Sequence, residues 1–135
     1  LIQRLGFPPS TKMTQWTTGS VVAIFHSSNL TAALLSLFWT RMYHVTEPMH
    51  TAPQWWQQAS HAVFQFCTGY MIYDAIAILC MHGEWTSSDS IFLAHHVIVA
   101  FFTISPRLVG AGQSAVLMLM LMGECTNPFH NVYYI

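Results

Sequence analysis

Charged residues are scarce in this 135-residue chain, in which Lys, Arg, Asp and Glu together make up 7%, against about 25% in a typical soluble domain. The four basic residues form no cluster. This argues against nucleic acid as a partner, because contact with phosphates requires grouped Lys and Arg. Hydrophobic residues make up 53% of the chain. The composition therefore predicts an integral membrane protein of one domain.

Cysteine is also sparse, and its spacing is typical neither of a disulfide framework nor of a metal site. Cys67 and Cys80 fall within one apolar segment, and Cys125 follows another. We therefore expect three buried free thiols and predict no metal ligands. The chain begins at Leu1 rather than Met, and a new apolar run begins at its end. We expect residues 1–135 to form a single, truncated transmembrane domain.

Four apolar stretches predict membrane spans, approximately at residues 19–39, 59–81, 88–105 and 108–124. About twenty helical residues at 1.5 Å each reach the roughly 30 Å of a hydrocarbon core. We expect the third span to end at Pro106, because proline removes a backbone donor and disfavours helix in the preceding residue. The predicted fold class is an all-α polytopic transmembrane helix bundle with about four spans.

Helical periodicity predicts which polar residues of these spans share a face. In the third span Asp89, His96 and Thr103 recur every seven residues and share one face, whereas His95 points about 100° away. In the second span Gln65 and Asp74 lie roughly 180° apart. Polar groups on opposite sides predict a helix that is surrounded by protein at the centre of the bundle.

The first span carries two polar residues that are neighbours on one face, His26 and Asn29. Residues three apart in a helix lie on the same side. We expect this face to point into the protein rather than at lipid.

The adjacent histidines His95 and His96, in an otherwise apolar run, are the first candidates for chemistry. One interpretation is catalysis, in which an imidazole acts as general base or acyl acceptor and a carboxylate such as Asp74 orients it. The alternative is a pair of interhelical hydrogen bonds. Asp74 has no Lys or Arg in any predicted span to pair with. We expect its carboxyl group either to stay protonated or to share a proton with a histidine.

A third interpretation is ligation of haem or a chlorophyll-type pigment through a neutral imidazole nitrogen. It is open to His26, His61, His95 and His96. His61 stands in a stripe with other polar residues and is expected to be structural. Glu124 lies near a helix end, and we expect it to be solvated.

Three short motifs stand out: GYMIYD at residues 69–74, the pair His95-His96, and ECTNPFHN at residues 124–131. They resemble motifs of the TLC-domain family of multispanning membrane proteins, which includes ceramide synthases and smaller TLC-domain lipid regulators. Residues 69–74 (GYMIYD) are similar to the family's Gly-Tyr-x-x-x-Asp. His95-His96 is similar to its paired histidines. Residues 124–131 (ECTNPFHN) are similar to its E-x-[ST]-x-P-F-x-N element. The three motifs lie between residues 69 and 131.

The resemblance implies a domain of six or more helices in the endoplasmic reticulum or another organelle membrane, with membrane lipids as partners. In ceramide synthases the His pair supports acyl transfer from acyl-CoA and is followed by acidic residues. Here the continuation, residues 97–112, contains none. The chain therefore resembles more closely the smaller TLC-domain proteins, whose roles concern lipid composition. Acyl-CoA is the co-substrate expected if the protein is an acyltransferase.

The predicted catalytic residues are Asp74, His95 and His96. Lipid-binding or supporting roles are predicted for His26, His61, Tyr70, Glu124 and Asn131. The alternative function is that of a noncatalytic accessory subunit, which would pack against other membrane protein subunits and use its histidines for structure or for a pigment.

Overall fold

The computed structural model describes residues 11–40, 48–81 and 85–133. Within these ranges the chain is helical and forms no strand, so the predicted all-α class is confirmed there. The helices are α1 (Thr11–Thr40), α2 (Gln54–Met81), α3 (Ser87–Val109), α4 (Gln113–Glu124) and α5 (Asn127–Tyr133), and a short 3-10 helix (Met49–Thr51) precedes α2. The ends of the predicted domain, residues 1–10 and 134–135, lie outside the described residues.

Three of these helices contain segments long and apolar enough to cross a membrane: Gly19–Thr40, Gln54–Cys80 and Ser87–Val109. They coincide with the first three predicted spans. Helix α4 has 12 residues and is about 18 Å long at 1.5 Å per residue. The fourth span, at residues 108–124, therefore stays a prediction.

Helix α3 owes its limits to residues at its two ends. At the start, Thr86 and Asp89 form a capping box: the Asp89 amide donates to the Thr86 hydroxyl at 3.3 Å, and the Thr86 amide donates to the Asp89 carboxylate at 2.7 Å. The prediction that α3 ends at Pro106 is wrong, because the helix continues to Val109. Its end is Gly110, whose φ of 75° is the left-handed conformation that stops a helix.

Replacing Gly110 with alanine should isolate the energetic cost of this left-handed residue. A Cβ atom at Gly110 would meet nothing within 4 Å, so the expected loss of about 1–2 kcal/mol in the free energy of unfolding is backbone strain alone. Gly69→Ala, within α2 and equally open, is the matched control and should stabilise by about 0.5–1 kcal/mol. Unfolding by SDS in mixed micelles measures both. Equal effects of the two substitutions would contradict this account of the α3 terminus.

The first four helices close into a ring, in which α1 packs on α2, α2 on α3, α3 on α4 and α4 on α1, while α5 lies against α1. This arrangement encloses a core of apolar side chains from α1, α2 and α4. Its members include Leu30, Leu34, Leu37, Trp56, Phe64, Cys67, Met71 and Leu117.

Among the described residues helix α2 is not surrounded by protein, contrary to the prediction from its polar residues. In the described chain it packs mainly on α1 and α3, and its remaining side exposes Ile72, Ile76 and Leu79. Of the two opposed polar groups, Gln65 lies on the exposed side. A helix pattern gives the angle between two residues but not whether a neighbour covers each of them.

The prediction of three buried thiols is wrong for two of them. Cys67 is buried in the core, whereas Cys80 and Cys125 are exposed. Cys80 lies on the last turn of α2, and Cys125 lies in the turn between α4 and α5. Apolar sequence surroundings at a helix end therefore do not ensure burial.

Candidate functional site

A direct contact between His96 and Asp74 joins α3 to α2 at the candidate site. His96 Nε2 lies 2.7 Å from Asp74 Oδ2. The imidazole is 8% exposed and the carboxyl group 25% exposed. The expected histidine partner of Asp74 is therefore His96.

The second ring nitrogen of His96 determines how a proton can be held in this pair. Nδ1 lies 2.6 Å from the carbonyl oxygen of Phe92, one helical turn earlier. A carbonyl oxygen only accepts, so Nδ1 carries a hydrogen and donates it. A neutral His96 then has a lone pair on Nε2 and accepts from a protonated Asp74, whereas a charged His96 donates to the Asp74 carboxylate. In both states one proton lies between Nε2 and Oδ2.

The three polar residues of α3 that periodicity places on one face lie on its buried side. Asp89, His96 and Thr103 are all buried, whereas His95 is exposed. Thr103 makes a second contact with α2, because its hydroxyl lies 2.8 Å from that of Thr68. The periodicity places each threonine on a polar stripe, but pairing them requires knowing how the two helices cross.

Helix α1 brings His26 to the same region, where its ring stacks on two aromatic rings of α2. The centroid of His26 lies 3.7 Å from that of Tyr70 and 4.9 Å from that of Phe66. Tyr70 in turn lies 6.5 Å from His96, centroid to centroid. His26 is 3% exposed, and neither of its ring nitrogens has a hydrogen-bond partner among the described residues. An unsatisfied buried donor costs about 1–3 kcal/mol.

The inward orientation expected for the polar face of α1 holds for His26 but not for Asn29. Asn29 is exposed, and its side-chain amide donates to the Phe25 carbonyl at 2.7 Å. This bond within the helix satisfies the amide without a partner from another helix. Residues three apart are separated by about 60° around the helix axis, so the boundary of the buried face falls between the two.

Glu124 contributes a second carboxyl group from the end of α4. It is partly buried rather than freely solvated as predicted, and it accepts a hydrogen bond from the Asn127 side chain at 3.0 Å. Asn131 supports this arrangement, since its amide donates to the Asn127 carbonyl at 2.9 Å. Glu124 is within electrostatic range of Tyr70 and His96. Sequence analysis missed the role of Asn127, although its spacing of three from Glu124 is typical of neighbours on a helical face.

Two predicted site residues lie apart from this cluster. His61 is thirteen residues before Asp74 on α2, which is about 20 Å along the axis. His95 is exposed on the far side of α3, with its ring edge-on to His96 at 5.6 Å. No hydrogen bond joins His95 to another described residue. Adjacent residues on a helix cannot share a face, so the histidine pair contributes one member to the cluster.

The geometry also bears on the interpretation as a pigment or haem site. His96 has both ring nitrogens engaged, and those of His26 are enclosed. Among the four candidates, His61 and His95 therefore keep ring nitrogens that a ligand can approach without first breaking a contact. The described residues contain no group of three or more His, Cys, Asp or Glu side chains that could hold a metal ion.

Comparisons with protein-family models, with curated proteins and with solved structures found no match to this chain. The site is therefore interpreted from its own geometry: His96 and Asp74 share one proton between α3 and α2, and the His26 imidazole of α1 stacks on Tyr70 beside them.

Proposed function

We propose that the chain is a multi-pass membrane protein of the TLC type that handles lipid, with Asp74 and His96 as its reactive centre. The contact between His96 Nε2 and Asp74 Oδ2 carries this proposal. An ionisable pair within two apolar helices is energetically costly to bury, and such residues mark functional sites by default. Residues 108–124 would form a fourth span, with further helices outside this chain.

The accessible member of the pair is Asp74, which reverses the roles suggested by the histidine motif. Both ring nitrogens of His96 are already engaged, so His96 acts as a positioning residue. Asp74 is 25% exposed, and no described residue donates to its Oδ1. In this proposal Oδ1 accepts a hydrogen bond from the hydroxyl or amine group of a lipid, and His96 stabilises the carboxylate.

The resemblance to the TLC motifs gains weight from the way the chain folds. Tyr70 and Asp74 come from the first motif, His96 from the second and Glu124 from the third. The first two segments are distant in sequence, yet Asp74 contacts His96 and the Tyr70 ring lies beside it.

Lipid bound to the purified chain tests the proposal. Asp74→Ala should lower the amount of co-purified lipid about tenfold, because a hydrogen bond to a charged group contributes about 1.5–3 kcal/mol and 1.4 kcal/mol is a factor of ten. Gln65→Ala removes a polar group from the exposed side of the same helix and should leave the lipid unchanged. Mass spectrometry of lipid extracts from the detergent-purified chain gives the readout.

Equal lipid content in a folded Asp74→Ala variant and in the parent protein would refute the role of Asp74. A second arm separates binding from transfer. If the chain transfers acyl groups, added acyl-CoA should release free coenzyme A from the parent but not from Asp74→Ala. Bound lipid without coenzyme A release would identify a lipid-binding protein rather than an acyltransferase.

The exposure of His95 favours a second candidate function, that of an accessory subunit in a larger membrane assembly. Intramembrane histidines almost always face a bundle interior or a partner, yet His95 points away from the other helices of this chain. A neighbouring subunit on that side of α3 would satisfy its ring nitrogens. In that case His95→Leu should reduce the size of the complex extracted from the native membrane and leave bound lipid unaffected.

A further inference from the structure

A cavity lies at the end of the bundle where α1 and α3 end and α2 and α4 begin. Its volume is about 710 Å³, and it is bordered by the 3-10 helix on one side and by the connection from α3 to α4 on the other. Asp74 is twenty residues into α2 from this end, about 30 Å along the axis. The cavity is therefore separate from the cluster around Asp74 and His96.

The first turn of α4 presents unused hydrogen-bond donors to this cavity. The first helical hydrogen bond of α4 runs from the Val116 amide to the Gly112 carbonyl. The amides of Gln113, Ser114 and Ala115 have no acceptor among the described residues, and all three residues line the cavity. Gly112 supplies no capping side chain. The start of α4 thus carries the partial positive charge of a helix N-terminus without a cap.

The side chain of Gln113 is a second, independent sign that a ligand belongs here. Gln113 lines the cavity and is only 9% exposed. No described residue makes a hydrogen bond with its amide group. A ligand in the cavity would provide the acceptor that this amide group lacks among the described residues.

The lining favours a negatively charged ligand. His50 contributes an imidazole, and no carboxylate occurs among the described lining residues. Amides at a helix N-terminus bind phosphate oxygens directly. The volume exceeds that needed for a single small anion and falls within the range of roughly 300–1,000 Å³ typical of small-molecule sites.

We infer that this cavity binds a phosphate group through the amides of residues 113–115 and the Gln113 side chain. The group belongs either to a phospholipid headgroup or to soluble phosphate. Trp39 lies near the end of α1 and Trp55 near the start of α2, and both are exposed at this end of the bundle. Exposed tryptophans are typical of a membrane–water interface. That position and the size of the cavity favour the headgroup. The inference does not depend on the role of Asp74.

Binding measured in a phosphate-free detergent tests the inference. The full chain in dodecyl maltoside is titrated with inorganic phosphate, with dihexanoyl phosphatidic acid and with dihexanoyl glycerol, which has the tails but no phosphate. We expect phosphatidic acid to bind and dihexanoyl glycerol not to. Binding of inorganic phosphate with equal affinity would identify soluble phosphate as the ligand. Absence of binding by both phosphate compounds, or equal binding of dihexanoyl glycerol, would overturn the inference.

Two charge substitutions make the test specific. Gln113→Glu places a carboxylate against the free amides and should weaken phosphatidic acid binding at least about tenfold. Gln58→Glu adds the same charge at an exposed position on the first turns of α2 and should leave binding unchanged. His50→Ala, an exposed lining residue, should weaken binding without disturbing the core. Parent-like affinity in both Gln113→Glu and His50→Ala, with helical content retained, would refute the site.

Discussion

Replacing His96 with alanine should lower the free energy of unfolding by an amount on the order of 3 kcal/mol. The substitution removes the partner of Asp74 and opens a void between α2 and α3. Removing one partner of a buried pair costs roughly 3–5 kcal/mol, and the lower end applies because a quarter of the Asp74 side chain is exposed. Unfolding by SDS in mixed micelles measures this loss.

The adjacent histidine provides the control. His95→Ala makes the same change one residue away, at an exposed position with no hydrogen bond to another described residue, and should change stability by less than about 0.5 kcal/mol. Similar losses for the two variants would mean that the contact with Asp74 contributes little. A shared loss would then reflect a general effect of removing an imidazole from α3.

Asp74→Asn extends this experiment to the position of the shared proton. An asparagine amide can donate to Nε2, so the interhelical bond survives if His96 is neutral. If His96 is charged, the amide leaves that charge without its counter-ion, and the variant should be destabilised nearly as much as His96→Ala. The difference between the two variants therefore reports which state the folded protein holds.

The second large loss of stability is expected at Trp56, whose side chain packs the start of α2 against the end of α1. Its side chain is 2% exposed, and its Nε1–H donates to the Leu37 carbonyl at 3.0 Å. Trp56→Ala should cost about 3–5 kcal/mol, because it combines a core cavity with a lost hydrogen bond. Trp56→Phe keeps most of the ring volume and should lose on the order of 1 kcal/mol.

The neighbouring Trp55 is the matched control, since it is 55% exposed. Trp55→Ala should leave the unfolding free energy within about 0.5 kcal/mol of the parent value. If Trp55→Ala were the more damaging change, the face of α2 that packs on α1 would be the one that carries Trp55 rather than Trp56. The pair of variants therefore tests the packing of the two helices as well as the size of one contact.

Helical periodicity predicted which residues of α3 share a face, but the sequence did not predict where the helix ends. The seven-residue recurrence of Asp89, His96 and Thr103 was enough to identify the buried face, because an apolar helix with one polar stripe hides that stripe. The end of the helix was not predictable from Pro106. A proline removes one hydrogen bond, whereas the left-handed conformation of Gly110 redirects the chain.

The sequence predicted which residues form the candidate site, but not the role of each residue in it. Asp74 lacked a basic partner in the predicted spans, so a histidine partner was a reasonable expectation. Which histidine it would be depends on the rotation of α3 relative to α2. Which group stays accessible depends on the bond from His96 to the Phe92 carbonyl, and that bond leaves Asp74 as the exposed member.

Sequence alone determined the helical class, the first three apolar spans and which polar residues of α3 share a face, because composition and periodicity act over a single helix. Only the tertiary structure decided that α2 keeps an exposed side, that His26 stacks on Tyr70 and that Asp74 contacts His96. These contacts depend on the order and crossing of helices that are distant in sequence. No pattern within one helix contains that information.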